Sequence, residues 1–289
     1  MANTRDIRRR IKSVKNTAQI TKAMQMVAAS KMRRAQQAAI AGVPYSESLN
    51  KVLVSLRDHV DASAHPLLEI REVKRRLVIV VSTDKGLCGA LNTNLLREVQ
   101  PLDKDTTDFV ATGRKAVQYL VRNKRSLLAD FPLSDMPSAK EAKQISKFAM
   151  EKFLNGEVDE VHVLYTKFVN TLTLTPTLAR LLPVSSLEAS GHAEDLSEKD
   201  TRHAETMLFE PSAGQVLNTI LPFYVHFQIY QMILSARAAE HSARMVAMKS
   251  ATDNAKQLIK DLTLEYNKLR QAAITNELLE ITTAQMALE

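Results

Sequence analysis

Apolar residues recur along this chain with two different periods. Ile7, Ile11, Val14, Ala18, Thr21, Gln25, Ala28, Met32, Ala35 and Ala39 alternate by four and three residues, which is the 3.5-residue repeat of a coiled-coil seam. Neither Gly nor Pro interrupts this segment before Gly42, and neither occurs between Phe223 and Glu289. At ~1.5 Å per residue the second segment predicts a helix of about 100 Å, longer than one domain core can hide. Ala239, Ala243, Ala247, Ala251 and Ala255 form a stripe of the smallest side chain, and Leu262, Tyr266, Leu269, Ala273, Ile274, Leu278 and Ile281 keep one side apolar. Such a stripe lets another helix approach closely. The two terminal segments are therefore expected to pair, and to do so antiparallel, because the ends of a chain meet most simply head to tail.

Between them the period changes. Gly42-Val43-Pro44 is expected to interrupt the first helix, which resumes through Leu49, Val52, Leu53 and Leu56 to end near His65-Pro66. Leu77 to Ser82 is a β-branched run typical of a buried parallel strand. A turn over Thr83 to Asn92 leads into a helix carrying Leu95, Leu96 and Val99. A second strand over Asp108 to Gly113 runs into a helix with Val117, Leu120 and Val121, and a third helix covers about Ser138 to Leu154. Val158 to Phe168 and Thr171 to Leu182 read as two further strands, and Ser185 to Glu205 as an exposed polar loop. This alternation predicts a small parallel sheet with helices on its faces. The expected organisation is an N-terminal coiled-coil helix over 1–66, a central Rossmann-like α/β domain over 67–206 and a C-terminal coiled-coil helix over 207–289.

Charge sharpens the picture. The chain carries a formal net charge of +7, but residues 1–40 hold ten Lys and Arg against Asp6 alone, +9, which leaves about −2 for the remainder. A basic helix of this kind serves a nucleic acid, an acidic protein surface, or nothing beyond solvation of a coiled coil's outer face. The first forty residues contain no aromatic side chain to stack on bases, no zinc-ligand spacing and no Gly-rich loop, which counts against nucleic acid. No apolar run reaches the roughly 18 residues of a membrane span, and the start lacks the apolar core of a signal peptide. The chain is thus expected to be soluble and intracellular, and its single cysteine, Cys88, excludes an internal disulfide.

Candidate chemistry in the middle domain is sparse. Gly86-Leu87-Cys88-Gly89 follows a strand as a phosphate loop would, yet it fits neither G-x-x-x-x-G-K-[ST] nor G-x-G-x-x-G. It reads better as a tight strand-to-helix turn. No residue near Cys88 suggests an activating base, and the seven histidines have no ligand spacing, so neither a metal nor a cofactor is expected. Thr83 and Asp84 sit at a strand end, where active sites often lie, without a partner acid or base in the sequence around them.

Four stretches resemble a known family. Ile20 to Met32 (ITKAMQMVAASKM), Ser82 to Asn92 (STDKGLCGALN), Arg244 to Met248 (RMVAM) and Tyr266 to Ile281 (YNKLRQAAITNELLEI) are similar, in order and across essentially the whole chain, to the gamma subunit of F-type ATP synthases. Ala90 stands where that family usually has another Gly, and the redox insertion of plant-type members is absent.

The resemblance implies a non-catalytic rotor shaft. Its paired terminal helices would stand inside a ring of three alpha and three beta subunits, and its α/β domain would lie below, near the epsilon subunit and the membrane c-ring. Proton flow would turn ring and shaft together, with no nucleic acid involved, at the cytoplasmic face of a bacterial inner membrane. By motif match, Met24, Arg244, Arg270, Gln271, Thr275 and Glu277 would form contacts and couple rotation to the ring. Lys85 and Cys88 would face acidic loops of a beta subunit, and Phe209, Glu210 and Pro211 would form the foot on the c-ring.

Overall fold

The computed structural model describes residues 4–57, 65–184, 209–210 and 212–286. The expected loop over 185–205 and Pro211 lie outside the described residues. Element order is α1 (Thr4–Arg57), a short 3-10 turn (Pro66–Leu68), β1 (Arg76–Val81), α2 (Leu91–Arg97), β2 (Thr107–Thr112), α3 (Arg114–Arg122), β3 (Ser126–Asp130), α4 (Ala139–Leu154), β4 (Glu160–Phe168), β5 (Leu174–Leu182) and α5 (Ala213–Met286). The chain forms two compact units. One comprises residues 1–30 with 244–289, and the other residues 31–243.

In the first unit α1 and α5 form the expected helix pair. Its seam buries Ile7, Thr21 and Ala28 from α1 and Met248, Thr252, Ala255 and Leu262 from α5. Thr21 Oγ1 and Thr252 Oγ1 meet at 2.7 Å across it. Each hydroxyl also reaches a carbonyl on its own helix, Thr21 that of Ala18 at 3.1 Å and Thr252 that of Met248 at 2.8 Å, so either can donate to the other and both are partnered.

In the second unit the two helices again run antiparallel, with Gly42 against Gln231 and Phe227 and Tyr45 against Phe227 at 5.0 Å between ring centroids. The expected break at Gly42-Pro44 does not occur, because α1 passes through Pro44 without interruption. Proline removes one backbone donor, while Gly42 lies where a side chain would collide with Gln231, so it gives α5 room. Likewise α5 begins at Ala213, before the Pro-free run, and carries Pro222 within it. In both helices tertiary packing overrides a local breaker.

The sheet has the order β3-β2-β1-β4-β5. β1 pairs parallel with β2 and β4, and β2 with β3, whereas β5 runs antiparallel to β4. The parallel sheet expected from the alternation of strands and helices thus carries one antiparallel edge strand, β5. Edge strand β5 tolerates Pro176, opposite Thr166. β3 was not expected at all. It is a five-residue edge strand with every second residue exposed, too short and too polar to stand out as a period. One face of the sheet, with Leu77, Ile79, Val110, Val161 and Val163, packs with Leu53 and Leu56 of α1, Ile145 and Phe153 of α4, and Leu221, Val225, Ile229 and Ile233 of α5. The other face, with Val78, Val80, Phe109 and Leu164, packs with Leu95, Ala116 and Leu120 from α2 and α3. Coverage on both faces explains why β1 is apolar without alternation.

Candidate partner-contact surfaces

An open α/β sheet binds ligands outside the carboxyl ends of its strands, where the chain order reverses. Here that point lies between β1, which continues to β2 on one side, and β4 on the other. The crevice is filled by α5. Phe168, just past the reversal on β4, donates its N–H to Ser235 Oγ at 3.0 Å, and Ser242 Oγ donates to the Thr171 carbonyl at 3.0 Å. Cys88 and Leu91 pack on Ala239, with Phe168, Leu174 and Ala243 around them. The stripe of small residues therefore does not serve a single partner: Ala239 and Ala243 accommodate the α/β domain, and Ala255 belongs to the helix-pair seam.

The β1–α2 turn is rigid and half of it is exposed. Asn92 Nδ2 donates to Thr83 Oγ1 at 2.8 Å and to Cys88 Sγ at 3.3 Å, and Thr83 Oγ1 donates to the Lys85 carbonyl at 2.7 Å. Cys88 is the buried anchor, 2% exposed. Lys85, Gly86 and Leu87 stand out in solvent. Leu87 adopts φ 63° at 63% exposure, a left-handed backbone for a large apolar side chain, which the surrounding bonds must hold in place.

Beside this turn lies a charge cluster that was not singled out in the sequence. Arg237, 5% exposed, gives Nη1 to Glu240 Oε2 at 2.7 Å and Nη2 to the Leu133 carbonyl at 3.1 Å. Asp84 Oδ2 stands 4.0 Å from Nη2, while Asp84 Oδ1 accepts the Arg114 N–H at 3.1 Å. Lys31 of α1 pairs with Asp135 at 2.6 Å, in the loop that also holds Leu133. That bond holds the Asp135 carboxyl below its ordinary range, against the opposing effect of burial. A lone Arg within Ser235-Ala236-Arg237-Ala238-Ala239 was the available signal.

The other expected site residues fall in several places. Antiparallel pairing of Thr21 with Thr252 puts the start of α1 opposite residue 269, and α5 continues as helix to Met286. Arg270, Gln271, Thr275 and Glu277 all lie on this last stretch and all are exposed, with Thr275 Oγ1 donating back to the Gln271 carbonyl at 2.9 Å. Ile274, Leu278, Leu279 and Ile281 are exposed on the same stretch, each by 46% or more. Met24 and Arg244 are half-buried in the helix-pair unit. Phe209 packs against the larger core, and Glu210 is exposed. Lys85 and Cys88 share the turn after β1, one outward and one inward. Among the described residues no group of His, Cys, Asp and Glu is placed to hold a metal ion, and no helix is long and apolar enough to cross a membrane.

These features define a class: an antiparallel helix pair together with a Rossmann-like domain whose ligand crevice is closed by one of those helices. The family model described as ATP synthase matches residues 3–288. The ATP synthase gamma chain of Methylacidiphilum infernorum is 51% identical over the full length of both chains, and that of Opitutus terrae is 50% identical over 99% of each. The chain belongs to the ATP synthase gamma-chain family. A chain of the central stalk and c-ring of Tetrahymena thermophila mitochondrial ATP synthase is similar at TM-score 0.62 and 26% identity, covering 80% of this chain and 99% of that one. A chain from the rotor of Euglena gracilis mitochondrial ATP synthase shares the fold at TM-score 0.67 and 18% identity, over 94% and 98%.

Proposed function

We propose that this chain is the non-catalytic central-stalk subunit of a proton-translocating F-type ATP synthase. It turns inside a ring of three alpha and three beta subunits and couples rotation of the membrane c-ring to ATP synthesis or hydrolysis. The observation that carries this reading is the end of α5: nearly five turns of helix beyond the reach of α1, with large apolar side chains and the polar set Arg270, Gln271, Thr275 and Glu277 all in solvent. Exposed apolar surface of this kind calls for a macromolecular partner. The filled crevice over β1 and β4 supports a role without bond chemistry in this chain.

The mechanism is one of unequal contact. A shaft shifts each catalytic site between open and closed only by the difference in its contact free energy with the two states. Rotation carries that difference from one beta subunit to the next. In this reading the α5 end seats in the ring, Met24 and Arg244 couple the helix pair to it, and Lys85 meets an acidic beta-subunit loop while Cys88 anchors the turn that presents it. Phe209 and Glu210 form the foot on the c-ring, with the epsilon subunit nearby, at the cytoplasmic face of a bacterial inner membrane.

The test is the mass of a reconstituted assembly. One copy of this chain per three alpha–beta pairs is expected, and an equimolar complex, or none, overturns the reading.

A further inference from the structure

Apolar packing and hydrogen bonds resist different motions. Leu221, Val225, Ile229 and Ile233 hold α5 on the sheet, but hydrophobic burial is non-directional, and packed layers slide by small shear at little cost. A body that transmits torque also needs bonds that resist sliding. Within the α/β unit α5 supplies them in one short stretch. Ser235 takes the Phe168 N–H, Arg237 donates to the Leu133 carbonyl and faces the Asp84 carboxylate as an ion pair at 4.0 Å, and Ser242 gives its proton to the Thr171 carbonyl. The partners follow or end β1, β3 and β4, so three strands are tied to one helix along one edge of the sheet. Lys31 ties α1 to the same loop as Leu133 through Asp135.

We propose that this carboxyl edge is a torque joint in place of a ligand site, with Arg237 as its positioning residue. Its buried planar fork bonds Glu240 on its own helix, which fixes its direction, and spends its other arm on two loops of the α/β domain. That geometry sets the register of α5 against the sheet, which apolar contact alone leaves soft. A lysine keeps the charge without the fork. The inference rests on the rotor reading, since a protein that carries no torque has no use for such a joint.

The experiment uses the chain assembled with its alpha and beta subunits, with a gold particle attached through Leu128→Cys on the exposed edge strand. Two variants are compared with the parent: Arg237→Lys, and Arg237→Leu with Glu240→Leu, which removes both buried charges together so that neither is stranded. Both are expected to hydrolyse ATP at the parent rate without load, while the particle's angular fluctuation in the catalytic pause widens. Amides over residues 84–87 and 131–135 are expected to exchange about tenfold faster. Unchanged fluctuation and exchange in a variant that assembles overturn the joint. So does a fall in hydrolysis that tracks a lowered melting temperature with no widening. A parent complex that never rotates overturns the rotor reading itself, and exchange in the purified full chain then decides whether Arg237 holds the two loops.

Discussion

Thr21 and Thr252 lie 231 positions apart in the chain and bring their hydroxyls to 2.7 Å in the seam of the helix pair. A polar pair in an apolar seam favours one register, because a slip breaks the bond between the hydroxyls and leaves each only the carbonyl of its own helix, Ala18 for Thr21 and Met248 for Thr252. Replacing Thr21 alone by Val is expected to destabilise the pair by about 1 kcal/mol, whereas Thr21→Val with Thr252→Val is expected to be nearly neutral. Denaturation followed by helical circular dichroism closes the cycle; additive effects of the two substitutions would show that the hydroxyls do not interact.

Gly113 is a second point of local necessity. Its φ is 101°, and a Cβ there would stand 2.5 Å from the Ser82 carbonyl oxygen, which is backbone and cannot turn away. Gly113→Ala is expected to cost the α/β unit about 3 kcal/mol or more. Gly156, also at positive φ but with open space around it, is expected to lose about 1–2 kcal/mol as Ala. Comparing the two unfolding midpoints separates collision from backbone strain.

Three histidines with lowered pKa contribute to the loss of stability below neutral pH. Burial lowers His162 and His65, and burial together with Lys143 lowers His226, all from 6.5. A group lowered in the folded state contributes stability that is complete above its unfolded pKa and is lost as pH falls through that value toward the folded one. Urea midpoints are therefore expected to drop between pH 7 and pH 5, and His162→Gln is expected to flatten that slope. A slope unaltered by neutral substitutions at all three positions would place the proton uptake elsewhere.

Exposed apolar residues at the end of α5 separate folding from assembly. Ile274→Asp with Leu278→Asp changes only solvated positions, so the melting of the isolated chain is expected to shift by no more than about 0.5 kcal/mol. Assembly with alpha and beta subunits is expected to fail. Intact assembly would remove the α5 end from the contact surface.

Coupling is expected to depend on Met24. Met24→Lys places a charge on a half-buried position of the helix pair and is expected to lower protons pumped per ATP while hydrolysis continues. An unchanged ratio, measured in reconstituted vesicles, would take Met24 out of the coupling set.

Much of this protein is local, and local physics is legible in a sequence. The 3.5-residue repeat from Ile7 and the Pro-free run after Phe223 announced two long helices that need a partner, because helical periodicity and the absence of breakers are properties of consecutive residues. The apolar run from Leu77 to Val81 likewise announced a strand covered on both faces. What depended on distant segments was hidden. Gly42 and Pro44 looked like a break, yet packing carried α1 through them, as it carries α5 through Pro222. β3 and the antiparallel course of β5 became visible only from the strands beside them. The meeting of Asp84, Leu133 and Arg237 was invisible for the same reason: their spacing in the chain says nothing of their spacing in the fold, and only α5 lying across the edge of the sheet brings them together.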